Sequence, residues 1–433
     1  DRASQNSYWK IGDINSGHLP LKSSDPLVET YFQRSKEKNN LYATFDEAAF
    51  SYADVIIIDI NLDVTKIKDN SDNLESYDVP MESFISAVKS IGKVCKQDVL
   101  ILVETTVPPG TCSKIVYPTI IEELKNRGLD HNKFLLGHSY ERVMPGPNYV
   151  NSIKNFYRVY SGIDKKSADA IEAFLKTIIS TKDYPLTRLK NTESTEMAKV
   201  LENSYRAMNI SFVVEWSRFA ENAGVDLYEV VNAIRLRPTH ANLMYPGIGV
   251  GGYCLTKDPL MASWSSKEFF NLELGLPSST SAVEINDHMP KYCFSFIEKT
   301  LSNLDKVFTN IGFLGVAYGP GIGDTRFSPV HSLYNFMNKA YSIICHDPYV
   351  NYWEELDIYP FQELDSFLNE NLDCIVITTG HADYINSDNF YVELKNSKNS
   401  GIVIIDTIGL LDIKKLPSVY ELGKNFFILG VGI

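Results

Sequence analysis

Residues 247–259 read GIGVGGYCLTKDP and put one cysteine, Cys254, straight after a flexible glycine run, with Lys257 and Asp258 close behind. A backbone without side chains approaches a ligand closely. A thiol beside a cationic group can be activated as the thiolate. Taken alone, Cys254 reads as a small buried apolar residue, but the glycines, the lysine and the aspartate around it favour a reactive thiol. The string also fits G-x-G-x-x-G through Gly247, Gly249 and Gly252. It is not read as a dinucleotide turn, because no strand precedes it and Pro259 is expected to end any helix beyond it.

On both sides of this loop the chain alternates. Upstream, strands are expected at 54–60 (DVIIIDI), 98–104 (DVLILVE), 134–138 and 156–161, with helices at 81–94, 113–127 and 166–180. Residues 98–104 form a continuous apolar run, as in a strand covered on both faces. A long helix is expected from Thr192 to Ala223, with Gly224 as its stop. Met197, Leu201, Tyr205, Met208 and Phe212 form one apolar stripe, and Lys199, Asn203, Ala207, Ile210 and Val214 lie opposite. A helix this apolar is expected to be buried by more than one partner, bridging two domains and contributing to a subunit interface. Downstream, a helix at 287–301 leads into a second alternating block, with strands at 307–314, 341–346, 373–378 and 401–406 and a glycine-rich turn at 315–323. Residues 68–76 (KDNSDNLES) read as a mobile polar loop. The fold class is α/β: two Rossmann-like doubly wound domains joined by a long central helix and a helical middle domain.

Composition sets outer limits. The chain has 433 residues, 44% hydrophobic and 22% charged, as in globular proteins of two or three domains. A net charge of −13 argues against non-specific nucleic-acid binding. No apolar run is long enough to span a membrane. The six scattered cysteines form no C-x-x-C pair, so neither a metal site nor a disulfide framework is expected, and a cytoplasmic location is.

Four further motifs stand beside the glycine loop. EMAKVLEN places Lys199 and Asn203 four residues apart, so a cation and an amide donor share a helix face. Together they could hold an oxyanion; the plain alternative is a solvated i,i+4 pair. ETTVPPGT (104–111) ends a strand in two threonines and a proline turn, where strand ends of such sheets face ligands. SYERVMPG (139–146) carries Glu141 and Arg142, which read equally well as a solvated pair, and GVAYGPGIGDTR (315–326) carries Tyr318, Asp324 and Arg326.

G-x-G-x-G-G-x-C-x-x-K-D closely resembles the catalytic loop of the nucleotide-sugar 6-dehydrogenases, the UDP-glucose/GDP-mannose dehydrogenase family. The resemblance extends over residues 10–433. It implies NAD as cofactor, a UDP-sugar substrate, and a homodimer or higher oligomer. It implies that Cys254 traps the aldehyde, that Lys199 and Asn203 hold the oxyanion, and that Thr106 orders a water. Asp258 is expected to serve as base or to hold the attacking water, and Glu141 to complete the catalytic set. Glu104, Thr105, Lys257 and Arg326 are expected at the cofactor. Gly249, Gly251, Gly252, Tyr253 and Tyr318 are expected at the substrate, with Arg237 or His240 reaching the diphosphate. His381 (TTGHADY) reads as structural.

The chain departs from the glucose-oxidising members in two places: Pro145 stands where they carry a second glutamate, and Gly319 replaces a substrate lysine. The E-R-V-x-P-G form resembles members acting on N-acetylated hexosamines. The expected activity is therefore a UDP-N-acetylhexosamine 6-dehydrogenase serving surface polysaccharide. UDP-glucose 6-dehydrogenase and a catalytically silent sugar-nucleotide-binding protein are the alternatives. Expected domains are 1–187 for NAD, 188–286 as helical centre with the catalytic loop, and 287–433 for the UDP-sugar. Residues 10–20 (KIGDINSGHLP) resemble the family's segment just after its second strand, so the first strand, glycine turn and helix are expected upstream of Asp1, itself a candidate ribose ligand.

Overall fold

The computed structural model describes residues 5–20, 23–70, 72–143, 146–385, 388–399 and 401–432. Asp1 and Pro145 lie outside the described residues. The chain divides into two compact units. The first holds the described residues up to Thr65, then Tyr77–Leu201 and Trp264–Gly275. The second holds Lys66–Ser76, Glu202–Ser263 and everything from Leu276 onward.

In the first unit the chain reaches strand β1 (Val55–Ile58) after two helices, Gln5–Ser16 and Pro26–Glu37. It then forms a hairpin of β2 (Thr65–Lys68) and β3 (Leu74–Asp78), most of which counts with the second unit. The expected mobile loop at 68–76 is corrected here. Its Lys68 closes one strand, and its ammonium pairs with Asp287 at 3.4 Å and Asp72 at 3.1 Å, while Lys66 reaches Asp287 at 2.9 Å. The strands β4 (Leu100–Val103), β5 (Leu135–Tyr140), β6 (Val159–Gly162) and β7 (Thr187–Arg188) complete the first unit's sheet, of order β1-β4-β5-β6-β7. All pairings are parallel except β5 with β6. Every residue of β4 is buried, as its unbroken apolar run requires of a strand with neighbours on both sides. Phe84, Val88 and Ile91 of helix Glu82–Val94 and Ile120 and Leu124 of helix Tyr117–Asn126 are buried. Another layer is Ile171 and Leu175 of helix Lys165–Leu175, packed with Leu100, Leu102 and Tyr160.

The helix Thr192–Ala223 forms as expected, with residues up to Leu201 in the first unit and those from Glu202 in the second. Ala207, Ile210 and Val214 are buried, but Met197, Leu201, Tyr205 and Phe212 are 51–62% exposed. Within one chain the helix is thus covered on one side, not on most of its circumference. Asp226 caps the next helix, Leu227–Arg235, by accepting from the Tyr228 and Glu229 N–H groups.

A further correction concerns Pro259. It ends no helix but sits in the first turn of Asp258–Glu268, where its missing N–H is not needed. Only the absent strand then tells against a dinucleotide turn at 247–252. The helix expected at 287–301 starts ten residues earlier, spanning Pro277–Ser302 with Pro290 inside.

The second sheet contains β8 (Asn310–Leu314), β9 (Ser342–His346), β10 (Cys374–Ile377), β11 (Val403–Asp406) and β12 (Phe426–Ile428), in the order β12-β11-β10-β8-β9. All its pairings are parallel. Phe313, Met337 and Trp353 fill one core layer, and Phe367, Tyr384 and Phe390 another. Strand order reverses at β8, so the turn after Leu314 opens at a topological switch point, where such sheets bind ligands.

Candidate active site

In the second unit, the glycine loop adopts backbone that side chains resist: Gly249 has φ +116° and Gly252 φ +82°. A Cβ on Gly251 would lie 2.6 Å from the Phe327 carbonyl oxygen, and one on Gly252 would lie 2.8 Å from the Tyr318 ring. The loop backbone is therefore pressed against the turn that leaves β8. Cys254 is exposed, and the other five cysteines are buried. Burial raises the thiols of Cys95, Cys112, Cys293, Cys345 and Cys374, keeping them protonated.

The Cys254 carbonyl accepts from the Asp258 N–H at 2.9 Å, which fixes the thiol at the head of helix Asp258–Glu268. Behind it, Lys257 and Asp258 are buried and pair at 3.1 Å. The Lys257 ammonium also lies 4.5 Å from the Tyr253 ring centre. The second Asp258 oxygen accepts from Asn203 Nδ2 at 2.6 Å. Charges taken out of water need such partners. Lys257, expected at the cofactor, is thus held by Asp258 and Tyr253. Tyr318 is half-buried on the loop, and burial raises its hydroxyl. Arg326, also expected at the cofactor, forks onto Asp324 at 2.6 and 3.0 Å. Arg237 and His240 stand on an exposed turn around Pro238–His240. His381 is buried: Nδ1 accepts from the Gly321 N–H and Nε2 bonds Asp347, both at 3.0 Å. Those bonds pin the loop that carries Tyr318 and Arg326.

The first unit gathers Lys199 and Glu141. Lys199 Nζ donates to the Glu141 carbonyl at 3.1 Å, lies 3.6 Å from its carboxylate, and faces the Tyr140 ring at 5.7 Å. His138, buried on β5, is held neutral, its imidazole pushed down to about 3 by burial and further by Lys199. Glu104 directly follows β4 and pairs with buried Arg158 at 3.1 Å. Burial nevertheless raises its carboxyl. Thr105 is buried and Thr106 half-buried just beyond the strand end.

One residue of this region opens the EMAKVLEN motif without being singled out there. Glu196, fully buried, accepts from the Gly110 N–H at 2.6 Å and the Cys112 N–H at 2.8 Å, so it holds the turn beyond Thr106. Burial pushes its carboxyl up to about 8. Its one signal in the sequence is an acid in the apolar helix three residues before Lys199.

Two doubly wound sheets, parallel throughout except for β5 with β6, and an exposed thiol on a glycine loop are the parts a dehydrogenase of the dinucleotide-dependent class uses. Family models match in three parts: the UDP-glucose/GDP-mannose dehydrogenase NAD binding domain at residues 5–179, the central domain at 193–288 and the UDP binding domain at 312–413. A UDP-N-acetyl-D-mannosamine dehydrogenase from Methanocaldococcus jannaschii is 31% identical over 78% of this chain and 74% of its own. One from Methanococcus maripaludis is 27% identical over 93% of this chain and 86% of its own. The structure of a UDP-D-ManNAc dehydrogenase from Pyrococcus horikoshii superposes with a TM-score of 0.77 at 24% identity, covering 98% of this chain and 91% of that one. The chain belongs to the UDP-glucose/GDP-mannose dehydrogenase family and is an NAD-dependent oxidoreductase of nucleotide sugars. Among the described residues no acidic, histidine and cysteine cluster could hold a metal, and no helix is long and apolar enough to cross a membrane.

Thr105 and Thr106 stand just beyond the carboxyl end of β4, beside the turn that Glu196 holds, and strand ends of such sheets are where NAD would fit. Among the described residues, no G-x-G-x-x-G turn between a strand and a helix occurs to take the pyrophosphate.

Proposed function

We propose that the chain oxidises the primary alcohol of a UDP-N-acetylhexosamine to the carboxylate through a covalent intermediate on Cys254. The observation that carries this reading is the exposure of one thiol among six, on a loop backed by buried Lys257 and Asp258 and by half-buried Asn203. NAD, when bound, accepts one hydride per oxidation, two per acid formed. The Cys254 thiolate adds to the aldehyde carbon left by the first oxidation and prevents its escape. Loss of the second hydride turns that thiohemiacetal into a thioester. Water then attacks, the C–S bond breaks, and the acid and the free thiol are released. Lys199 and Asn203 are the assigned donors to the tetrahedral oxygen. Asp258 anchors Asn203 for that task, and Thr106 and Glu141 are assigned to the attacking water.

The N-acetylated sugar is favoured by ERV at 141–143, by Gly319 in place of a substrate lysine, and by the activity named for the two methanogen relatives. The product, a charged uronic acid on a nucleotide carrier, suits the assembly of surface polysaccharide. Buried thiols that form no disulfide favour a cytoplasmic site of action. The exposed aromatic side of helix Thr192–Ala223 favours a homodimer.

The test is NADH formation against a panel of UDP-N-acetylmannosamine, UDP-N-acetylglucosamine and UDP-glucose, with the acid quantified. Two NADH per acid and a preference for an N-acetylated sugar are expected. Cys254→Ser should form no acid while melting at the parental temperature, because the side chain is exposed. Acid production by that variant at the parental rate would overturn the covalent route.

A further inference from the structure

Five residues other than glycine have positive φ among the described ones, and four are Asn or Asp, which tolerate that conformation. The fifth is Phe327, at φ +56°. The preceding turn is not short of glycine: Gly315, Gly319, Gly321 and Gly323 all lie within twelve residues of it. The backbone on both sides is fixed. The Arg326 N–H bonds the Asp324 carboxylate at 3.0 Å, and Ser328 Oγ donates to the Val316 carbonyl at 3.0 Å and caps the next helix. A strained phenylalanine is explained if its ring is buried in a core, but this one is 51% exposed. Strain kept at an exposed aromatic points to a ligand rather than to the fold.

The ring has one aromatic neighbour that matters. Phe327 stands 5.6 Å from Tyr253, centre to centre, at 54°. Tyr253 directly precedes Cys254. The Phe327 carbonyl oxygen is also what a Gly251 side chain would strike, so the strained backbone and the glycine loop fit one another.

We propose that Phe327 and Tyr253 form an aromatic subsite for the apolar part of the sugar, the acetamido methyl and adjoining C–H face, and so set the preference for N-acetylated hexoses. This rests on the assignment of Cys254 as the thiol that attacks the sugar's C6 aldehyde. A hexose with its C6 at the Cys254 sulfur would come within reach of Tyr253, the next residue, whereas the uracil is held away from it by the diphosphate. An apolar contact of this size discriminates by about tenfold.

The test uses Phe327→Gly, which removes the ring and the backbone strain together, and Phe327→Ala, which removes the ring alone. Both should lower kcat/KM for UDP-N-acetylmannosamine about tenfold, lower that for UDP-glucose far less, and leave KM for NAD unchanged. Phe327→Gly should melt no lower than the parent. An equal fall for both sugars, or no fall for either, overturns the subsite. Calorimetric titration separates this from the functional reading. UDP should bind parent and variant alike, and UDP-N-acetylmannosamine about tenfold more weakly to the variant. If the parent oxidises no UDP-sugar, the functional reading falls, and the same titration still upholds or overturns the subsite.

Discussion

Glu196 offers a perturbation whose pH dependence is set by its surroundings. Its carboxyl is raised from 4.5 to about 8, chiefly by burial and additionally by Glu193, against the opposing bonds from the Cys112 and Gly110 N–H groups. The folded chain therefore holds a proton that the unfolded chain releases above its own pKa. Between the two values, stability falls as pH rises, and above about 8 it levels. Glu196→Gln has the same shape and does not titrate. Its amide oxygen accepts one N–H, and its NH2 group faces the other, a loss of about 1–3 kcal/mol at all pH values. From pH 5.5 to 8 the parent should lose roughly 3 kcal/mol relative to the variant, at about 1.4 kcal/mol per pH unit. Urea unfolding of both proteins at pH 5.5, 7 and 8.5 reads this directly. The parent should be the more stable at pH 5.5, and its advantage should shrink or invert by pH 8.5. A stability difference that stays flat, or that grows with pH, would refute a buried carboxyl that resists ionisation.

Two other sites lead to measurable outcomes. Asp258→Asn leaves the buried Lys257 ammonium without a counter-charge and should cost about 3–5 kcal/mol in urea unfolding; a loss below about 1 kcal/mol would show that Asp258 does not hold Lys257 and Asn203 in place. Trp216 is 46% exposed between Phe212 and Phe219 on the long helix. On the proposed homodimer through this face, Trp216→Glu should halve the mass seen by sedimentation without lowering the melting temperature of the folded chain, and an unchanged mass would overturn that proposal.

Legibility in the sequence tracks physical locality. Residues 98–104 announce a central parallel strand because burial on both faces demands an unbroken apolar run. The helix from Thr192 to Ala223 is legible from its period, and its end from Gly224. The β2–β3 hairpin is not legible, since TKIK and LESYD carry little apolar alternation and the anchor, Asp287, is more than two hundred residues away. Pro259 misleads because a proline is tolerated at a helix start and excluded only from its interior. Cys254, Asn203 and Asp258 could be named from spacing, but the bond joining Asn203 to Asp258 could not. Glu196 is passed over in the sequence because its partners lie 84 and 86 residues upstream. Phe327 is invisible as a special position because a phenylalanine, unlike a glycine, asparagine or aspartate, does not announce a positive φ.

The place of residues 264–275 in the first unit limits how the protein can be taken apart. This short segment comes after the glycine loop, yet it supplies Ser265, which donates to the Pro109 carbonyl at 2.6 Å, and Phe270, against Gly110. A chimera that exchanges the amino-terminal portion with that of a relative, cut at the helix start, would graft a foreign proline turn onto a native clasp. Recombination should succeed only when both pieces travel together, so the modules are inherited as interlocked parts rather than as beads on a string.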